Sequence, residues 1–120
     1  MSRILIDSSV LVDIWRNGKS KWPELETGSN HINTVSYIEF LQGANSRQKK
    51  ETVELLNSYD HIRLDEAISD LAITLIDKHS ETDGLRLADA LIAATCILHD
   101  LSLLTLNRRH FQKIAKLKLI

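Results

Sequence analysis

The sequence predicts an α/β fold in which a mostly parallel sheet of four to five strands lies between two layers of helices. Short apolar runs alternate along the chain with segments of helical periodicity, in the order β-α-β-α-α-β-α-α-β-α-β. The chain has 120 residues, the size of one ordinary domain, and no change of composition marks a boundary. We therefore expect a single three-layer α/β/α domain over residues 1–120.

The first half of the chain contains two strand and helix units. The first strand is an uninterrupted apolar run, and the helix after it ends at Asn17-Gly18, a pair typical of helix termination. The second strand follows a polar loop, and the helix after it carries its apolar residues on one stripe. In order, the predicted elements are a strand at 3–6, a helix at 9–16, a short helix from Trp22, a strand at 31–35, a helix from Ser36 and an exposed helix within 46–58.

The second half contains the most regular helical pattern of the sequence. From Ile68, apolar residues recur at i, i+3, i+4, i+7 and i+8, which predicts an amphipathic helix. A later helix is apolar almost all round, which is typical of a buried position. In order, the predicted elements are a strand at 60–64, a helix from Asp65, a turn at Thr82-Asp83-Gly84, a helix at 86–99, a strand at 101–105, a helix from Asn107 to Ala115 and a strand at 117–120.

Composition excludes several classes of protein. The chain has 15 Lys plus Arg against 16 Asp plus Glu, a formal net charge of −1, so nucleic acid is not bound through bulk positive charge. The single cysteine, Cys96, excludes an internal disulfide and an all-cysteine metal site. No apolar run reaches the roughly 18 residues of a membrane span, and the first residues lack a signal-peptide layout. We therefore expect a cytoplasmic protein with no membrane partner.

Four polar side chains are expected at the carboxyl edge of the sheet, where open parallel sheets bind ligands. Asp7 and Asn107 each follow a predicted strand directly. Glu39 and Asp89 lie near the starts of helices whose N-terminal ends reach the same edge. Carboxylates gathered at one point repel each other unless a cation lies between them. Oxygen ligands without cysteine or clustered histidine favour Mg²⁺ or Mn²⁺, so these residues predict a metal site.

Three of these residues also have a structural explanation that the sequence leaves open. Asp7 and Asn107 could each act as the N-cap of the helix that follows. Ser36 and Glu39 have the spacing of a capping box, in which both side chains hydrogen-bond backbone N–H groups at a helix start.

Asp89 differs from the others because every neighbouring residue in 87–94 is apolar. An ionised carboxylate without a partner is costly in such surroundings. A salt bridge to Arg86, three residues earlier on the same helix face, is the structural alternative to a functional role.

Three segments of the chain resemble sequence motifs of a known family. The segment from Asp7 to Asp13 resembles the opening motif of PIN-domain nucleases, and the segment from Ala88 to Thr95 resembles the stretch around their third acidic residue. The segment from Leu104 to Phe111 resembles their fourth motif, and Glu39 lies between the first and third motifs. The order and spacing cover nearly the whole chain, and a domain of this size is most similar to the VapC-type toxins of prokaryotic toxin–antitoxin pairs.

The resemblance implies a metal-dependent endoribonuclease that cleaves RNA phosphodiester bonds. It further implies Mg²⁺, or alternatively Mn²⁺, as cofactor, a small antitoxin as inhibitory partner, and a homodimer. The fourth position is an asparagine in this chain where many relatives have Asp, which weakens the case for a second metal. Carried over residue by residue, the implied catalytic positions are Asp7, Glu39, Asp89 and Asn107, of which the first three bind metal, with Ser8 and Thr105 as supporting hydroxyls.

Contacts to RNA and to a partner protein are expected outside the acidic cluster. Residues 105–120 contain five basic side chains and no acidic one, so we expect phosphate contacts there, first from Arg108, Arg109 and Lys113. Aromatic side chains are candidates for a groove that binds a partner helix, and Trp22 is the one expected to be exposed. The five histidines lack ligand spacing, so we expect structural or surface roles for them.

Three other classes of protein compete with the nuclease. A receiver-like signalling domain needs an acidic pair after the first strand, where this chain has only Asp7. It also needs a phosphoacceptor aspartate after the third strand, and Asp65, which follows that strand, is better explained as a helix cap. A phosphatase of the haloacid-dehalogenase type needs a second aspartate at position 9, which is Ser9. A non-catalytic α/β interaction module also remains, although it leaves Asp89 unexplained unless Arg86 neutralises it.

Overall fold

One parallel sheet organises the chain. The computed structural model describes residues 3–120, and Met1 and Ser2, at the start of the predicted domain, lie outside the described residues. Within these, five strands pair in the order β3-β2-β1-β4-β5, and every pair is parallel. The predicted α/β fold is therefore confirmed, with the larger strand number. The strands are β1 Arg3–Ile6, β2 Ser29–Asn33, β3 Asp60–Ile62, β4 Ser102–Leu104 and β5 Lys118–Leu119.

Helices cover both faces of this sheet, as the sequence predicts. The helices of the described residues are α1 Ser8–Asn17, α2 Thr34–Gln42, α3 Lys49–Asn57, α4 Glu66–Asp83, α5 Leu87–His99 and α6 Arg108–Phe111, with a short 3₁₀ helix at Pro23–Glu26. None of them combines the length and the apolar character needed to cross a membrane.

The central strand β1 divides the apolar core in two. Its side chains alternate between the faces of the sheet, and Ile4, Leu5 and Ile6 are all fully buried. Leu5 packs with residues of α4 and α5 on one face, whereas Ile4 and Ile6 pack with residues of α1, α2 and α3 on the other. A strand buried on both sides reads as a continuous apolar run, which is why β1 is easily recognised in the sequence.

Two helix boundaries differ from the sequence expectation. Helix α2 begins at Thr34 rather than Ser36, because the Asn33 side chain caps it and accepts a hydrogen bond from the Ser36 amide at 3.0 Å. The last helix ends at Phe111 rather than at Ala115. The side-chain amide of the buried Asn33 also donates a hydrogen bond to Thr95 Oγ1 at 3.2 Å. This contact connects the start of α2 to α5.

Asp65 caps the long helix α4. Its Oδ1 accepts a hydrogen bond from the Ile68 amide at 2.9 Å, which satisfies one of the free N–H groups at the helix start. This contact explains Asp65 without the phosphoacceptor role that a receiver domain would require.

We predict that Asp65→Ala lowers the free energy of unfolding by about 1 kcal/mol, the usual loss for a helix cap. Asp65→Asn retains a capping oxygen and should lower the free energy of unfolding by only a few tenths of a kcal/mol. Asp70→Ala, an exposed change on the same helix, is the matched control. Urea unfolding followed by circular dichroism measures all three, and an unchanged midpoint for Asp65→Ala would contradict the capping role.

Candidate active site

The candidate site lies where the order of the strands reverses. The chain runs outward from β1 to β2 and β3 and then returns to place β4 on the other side of β1. Ligand sites of open α/β sheets lie at such a switch point, beyond the carboxyl ends of the strands. Asp7 follows β1 and Thr105 follows β4, and the Asp7 amide donates to the Leu104 carbonyl at 3.0 Å.

Asp7 is held by two hydroxyl groups. Its side chain is buried, with 4% of the residue exposed, and Oδ2 accepts hydrogen bonds from Ser9 Oγ and Thr105 Oγ1, each at 2.8 Å. The residue stands at the N-cap position of α1, but its side chain makes no capping hydrogen bond. Capping therefore does not account for this carboxylate.

The orientation of both hydroxyls is fixed by backbone N–H groups of the loop after β4. The Leu106 amide donates to Ser9 Oγ at 3.1 Å, and the Asn107 amide donates to Thr105 Oγ1 at 3.0 Å. Each hydroxyl oxygen accepts a hydrogen bond from a backbone N–H group, so its own proton is available to be donated to Asp7. Among residues 3–120, no donor reaches the other oxygen of Asp7.

Glu39 lies beside this cluster and is held by the residue next to Asp7. Ser8 Oγ donates to Glu39 Oε1 at 3.1 Å. Partial desolvation raises the pKa of Glu39, the Ser8 hydrogen bond opposes the shift, and the charges of Asp7 and Asp89 raise the pKa further. Because Ser36 lies inside α2 and Asn33 is the cap, the capping-box explanation of Glu39 is wrong.

Asp89 is held at a single oxygen by two neighbours. The Arg86 amide donates to Oδ2 at 3.2 Å, and His110 Nδ1 lies 3.2 Å from the same oxygen. Arg86 therefore contacts this carboxylate through its backbone, and no ion pair with its guanidinium is found among the described residues. The side chain of Asp89 is 14% exposed, and most of the residues that follow it on α5 as far as Cys96 are buried.

The donor set of the site suits a hard divalent cation. Each of the three carboxylates has one oxygen held by the protein, and in residues 3–120 no hydrogen bond occupies the other. No group of three or more acidic, histidine or cysteine side chains in that range is placed so that it could hold a metal ion as a cage of protein ligands. Mg²⁺ needs no such cage, since it keeps several waters and is usually bound through one or two carboxylates.

Asn107 does not join the carboxylates through its side chain. It is exposed at the start of α6 and makes no capping hydrogen bond, so the N-cap explanation is also wrong. It lines a groove of about 440 Å³ that is otherwise formed by Leu106, Arg108, Arg109 and His110. The structure thus places Asn107 at the rim of the site.

Two basic side chains of residues 105–120 have acidic neighbours that the sequence of this segment does not reveal. Lys113 Nζ lies 3.4 Å from Asp83 Oδ1, and Lys118 Nζ lies 2.8 Å from Asp100 Oδ1. Both acidic partners come from other parts of the chain, which is why a stretch without its own acidic residues misleads.

The two arginines of α6 differ in their contacts. Arg108 donates to the backbone carbonyl of Ile120. Arg109 is exposed, and no acidic partner for it is found in residues 3–120.

Two residues of the site were not predicted from the sequence. Ser9 contacts Asp7, whereas Ser8, the expected support, holds Glu39. The spacing of two residues between Asp7 and Ser9 is the signal that could have identified this contact. His110 had no such signal, because its partner Asp89 is distant in sequence.

Trp22 is not the exposed aromatic that its polar surroundings suggested. Its indole N–H donates to Asp13 Oδ2 at 2.7 Å, and its ring packs against the core beneath α1. A groove of about 410 Å³ is lined instead by Val12, Trp15, Arg16, Glu39 and Phe40, together with residues from the start of α3 and the loop before it.

Comparison with known proteins identifies the family. The PIN domain family matches residues 4–117. Ribonuclease VapC10 of Mycobacterium tuberculosis is 32% identical over 120 residues, which cover 96% of this chain and 90% of the relative. Ribonuclease VapC1 of Methanocaldococcus jannaschii is 26% identical over 116 residues, covering 94% of this chain and 82% of the relative.

A solved structure agrees with this assignment. A toxin–antitoxin complex from Klebsiella pneumoniae contains a chain with a TM-score of 0.80 and 28% identity, with coverage of 95% of this chain and 94% of that one. The domain match spans nearly the whole sequence, and a named relative exceeds 30% identity over almost its full length. The chain therefore belongs to the VapC-type ribonucleases of the PIN-domain family.

Proposed function

We propose that this chain is a divalent-metal-dependent endoribonuclease, with Mg²⁺ as the metal and Mn²⁺ as a substitute, and that it is the toxin of a toxin–antitoxin pair. The observation that carries the proposal is the arrangement of Asp7, Glu39 and Asp89. Each carboxylate is fixed at one oxygen and open at the other, and partial desolvation together with the charges of the two aspartates raises the pKa of Glu39. Such mutual repulsion favours a bound cation.

The residues of the site have different roles in hydrolysis. Asp7 and Asp89 would hold the metal through their open oxygens, directly or through water. A divalent ion held there would lower the pKa of a nearby water and offset the charge that develops on the phosphate. Glu39, held at Oε1 by Ser8, orients a water through Oε2 and accepts its proton. In-line attack of this water on the phosphorus breaks the P–O3′ bond, and the departing 3′ oxygen takes a proton from solvent, which leaves 5′-phosphate and 3′-hydroxyl ends.

RNA would approach along the groove at the start of α6. Arg109 is exposed there, and the groove also includes Arg108 and Asn107. A phosphate contact offsets the repulsion between RNA and the acidic site. Lys113 remains a further candidate, with its charge already shared with Asp83. The attack does not use the 2′-hydroxyl of the substrate, so preference for RNA must come from binding.

A small antitoxin is the proposed inhibitory partner. The related Klebsiella structure is a toxin–antitoxin complex, and the groove lined by Val12, Trp15 and Phe40 also includes Glu39 in its lining. An apolar helix is the kind of segment that fits such a groove. Bound there, it would close access to Glu39. Cleavage that is unchanged after a co-purifying small protein has been removed would argue against this partner. Failure of the co-expressed small protein to restore growth of cells that produce this chain in the cytoplasm would argue against it too.

A homodimer is proposed through the face between α4 and α5. These helices form an apolar groove of about 470 Å³ whose lining includes Ile73 and Leu87. Their exposed fractions are 69% and 74%, and exposed apolar patches of this kind mark interaction sites. The net charge of −1 adds little repulsion between two copies.

We predict metal-dependent cleavage of end-labelled total RNA by the partner-free protein, with discrete fragments in Mg²⁺ or Mn²⁺ and none in EDTA. Asp89→Asn should slow cleavage at least about 100-fold, since a metal site contributes several kcal/mol to the transition state. Asp70→Asn makes the same chemical change on an exposed face of α4 and should cleave normally. Equal cleavage by Asp89→Asn would contradict the site, and a well-folded wild type that never cleaves would favour the interaction module.

We predict that Arg109→Ala weakens binding of single-stranded RNA. The slope of the logarithm of the association constant against the logarithm of the salt concentration should become shallower by about 0.7, the value for one phosphate contact. The measurement uses fluorescence anisotropy in an Asp89→Asn background, so that the RNA stays intact. Lys118→Ala is the matched control, because Lys118 is already paired with Asp100. An identical salt slope for Arg109→Ala and its parent would remove Arg109 from the RNA contact.

We predict that the wild type is a dimer at micromolar concentration and that Leu87→Asp is a monomer, because the charge cannot be buried in an apolar interface. Ile38→Asp places the same charge at an exposed apolar position on α2, outside this groove, and should stay dimeric. Light scattering after size exclusion gives the masses. A monomeric wild type, or a dimeric Leu87→Asp, would exclude this face.

A further inference from the structure

His110 occupies a fixed position beside the site although it lies on a short helix. The next residue, Phe111, is 1% exposed and belongs to the core under α4 and α5. The His110 amide donates to the Asn107 carbonyl at 3.2 Å, which closes the first turn of α6. The buried phenylalanine therefore anchors α6 with His110 facing the start of α5.

The contact between His110 and Asp89 is not explained by stability. The imidazole is 37% exposed, and ion pairs reachable by water contribute little to the free energy of folding. Nδ1 lies 3.2 Å from Asp89 Oδ2, the same oxygen that accepts from the Arg86 amide. Two neighbours from different segments therefore converge on one oxygen of one carboxylate.

We propose that His110 is a positioning residue that sets the rotation of the Asp89 carboxylate, so that Oδ1 is the oxygen presented to the metal. This inference rests on the proposed metal-dependent function. With a hydrogen bond from the Arg86 amide and an ionic contact from His110 both on Oδ2, the plane of the carboxylate is restricted. Without His110, only the amide of Arg86 at 3.2 Å remains, and the carboxylate can rotate away from the metal. Partners of this kind commonly change metal affinity by about 10- to 100-fold.

The role requires a proton on Nδ1, which the imidazolium and one neutral tautomer both carry. It requires no change of charge during the reaction. His110 therefore acts on the metal through Asp89, and the residue also lines the groove formed by residues 106–110.

The test compares His110→Asn with His110→Leu. Asparagine can place an amide N–H where Nδ1 stands, whereas leucine has similar bulk and no donor. Gln112→Leu, an exposed change just beyond α6, is the matched control. Mn²⁺ binding to the RNA-free protein is measured by calorimetry, and cleavage is then measured across a series of Mn²⁺ concentrations. Thermal unfolding checks that every variant is folded.

We expect His110→Leu to weaken Mn²⁺ binding at least about tenfold, while His110→Asn and Gln112→Leu stay within about threefold of wild type. Saturating Mn²⁺ should restore most of the cleavage rate of folded His110→Leu. Unchanged Mn²⁺ affinity in His110→Leu, with slower cleavage at every metal concentration, would overturn the proposal in favour of an RNA contact. Loss of affinity in both variants would overturn the donor role. Wild-type protein that binds no Mn²⁺ would overturn the metal site itself.

Discussion

The repulsion among three carboxylates at one edge of the sheet is the constraint on which the site depends. Asp7 is nearly buried, and the pKa of Glu39 is raised by partial desolvation and by the charges of Asp7 and Asp89. Hydrogen bonds from hydroxyl and amide groups hold one oxygen of each carboxylate. Fixed acceptors with unsatisfied charge are costly for a fold to maintain without a compensating cation, and an electropositive ligand relieves that cost.

The topology of the sheet makes this arrangement possible. Because β4 returns to pair with β1, the loop after β4 lies over the start of α1 although about a hundred residues separate them. That loop supplies Thr105 and orients Ser9, and the helix that follows it brings His110 to Asp89. A single crossover therefore supplies support to two of the three acidic residues, and the buried Phe111 keeps that support in place.

The sequence predicts what depends on local pattern and misses what depends on tertiary contact. The parallel sheet follows from apolar runs and helical periodicity, and the apolar neighbours of Asp89 in the sequence are enough to single it out. The structural explanation of Glu39 failed because Asn33, which lies within the predicted second strand, takes the capping role. The partnership of Lys113 with Asp83 joins separate segments, and no spacing rule for one helix or strand can reveal it.

The most direct measurement is anomalous diffraction from a crystal of the protein grown with Mn²⁺. We predict a peak at the carboxyl edge of the sheet, within direct or water-bridged reach of Asp7 and Asp89, with Glu39 beside a coordinated water. No peak at this edge under saturating Mn²⁺, or a peak only at another group such as His79 and Asp83, would contradict the account.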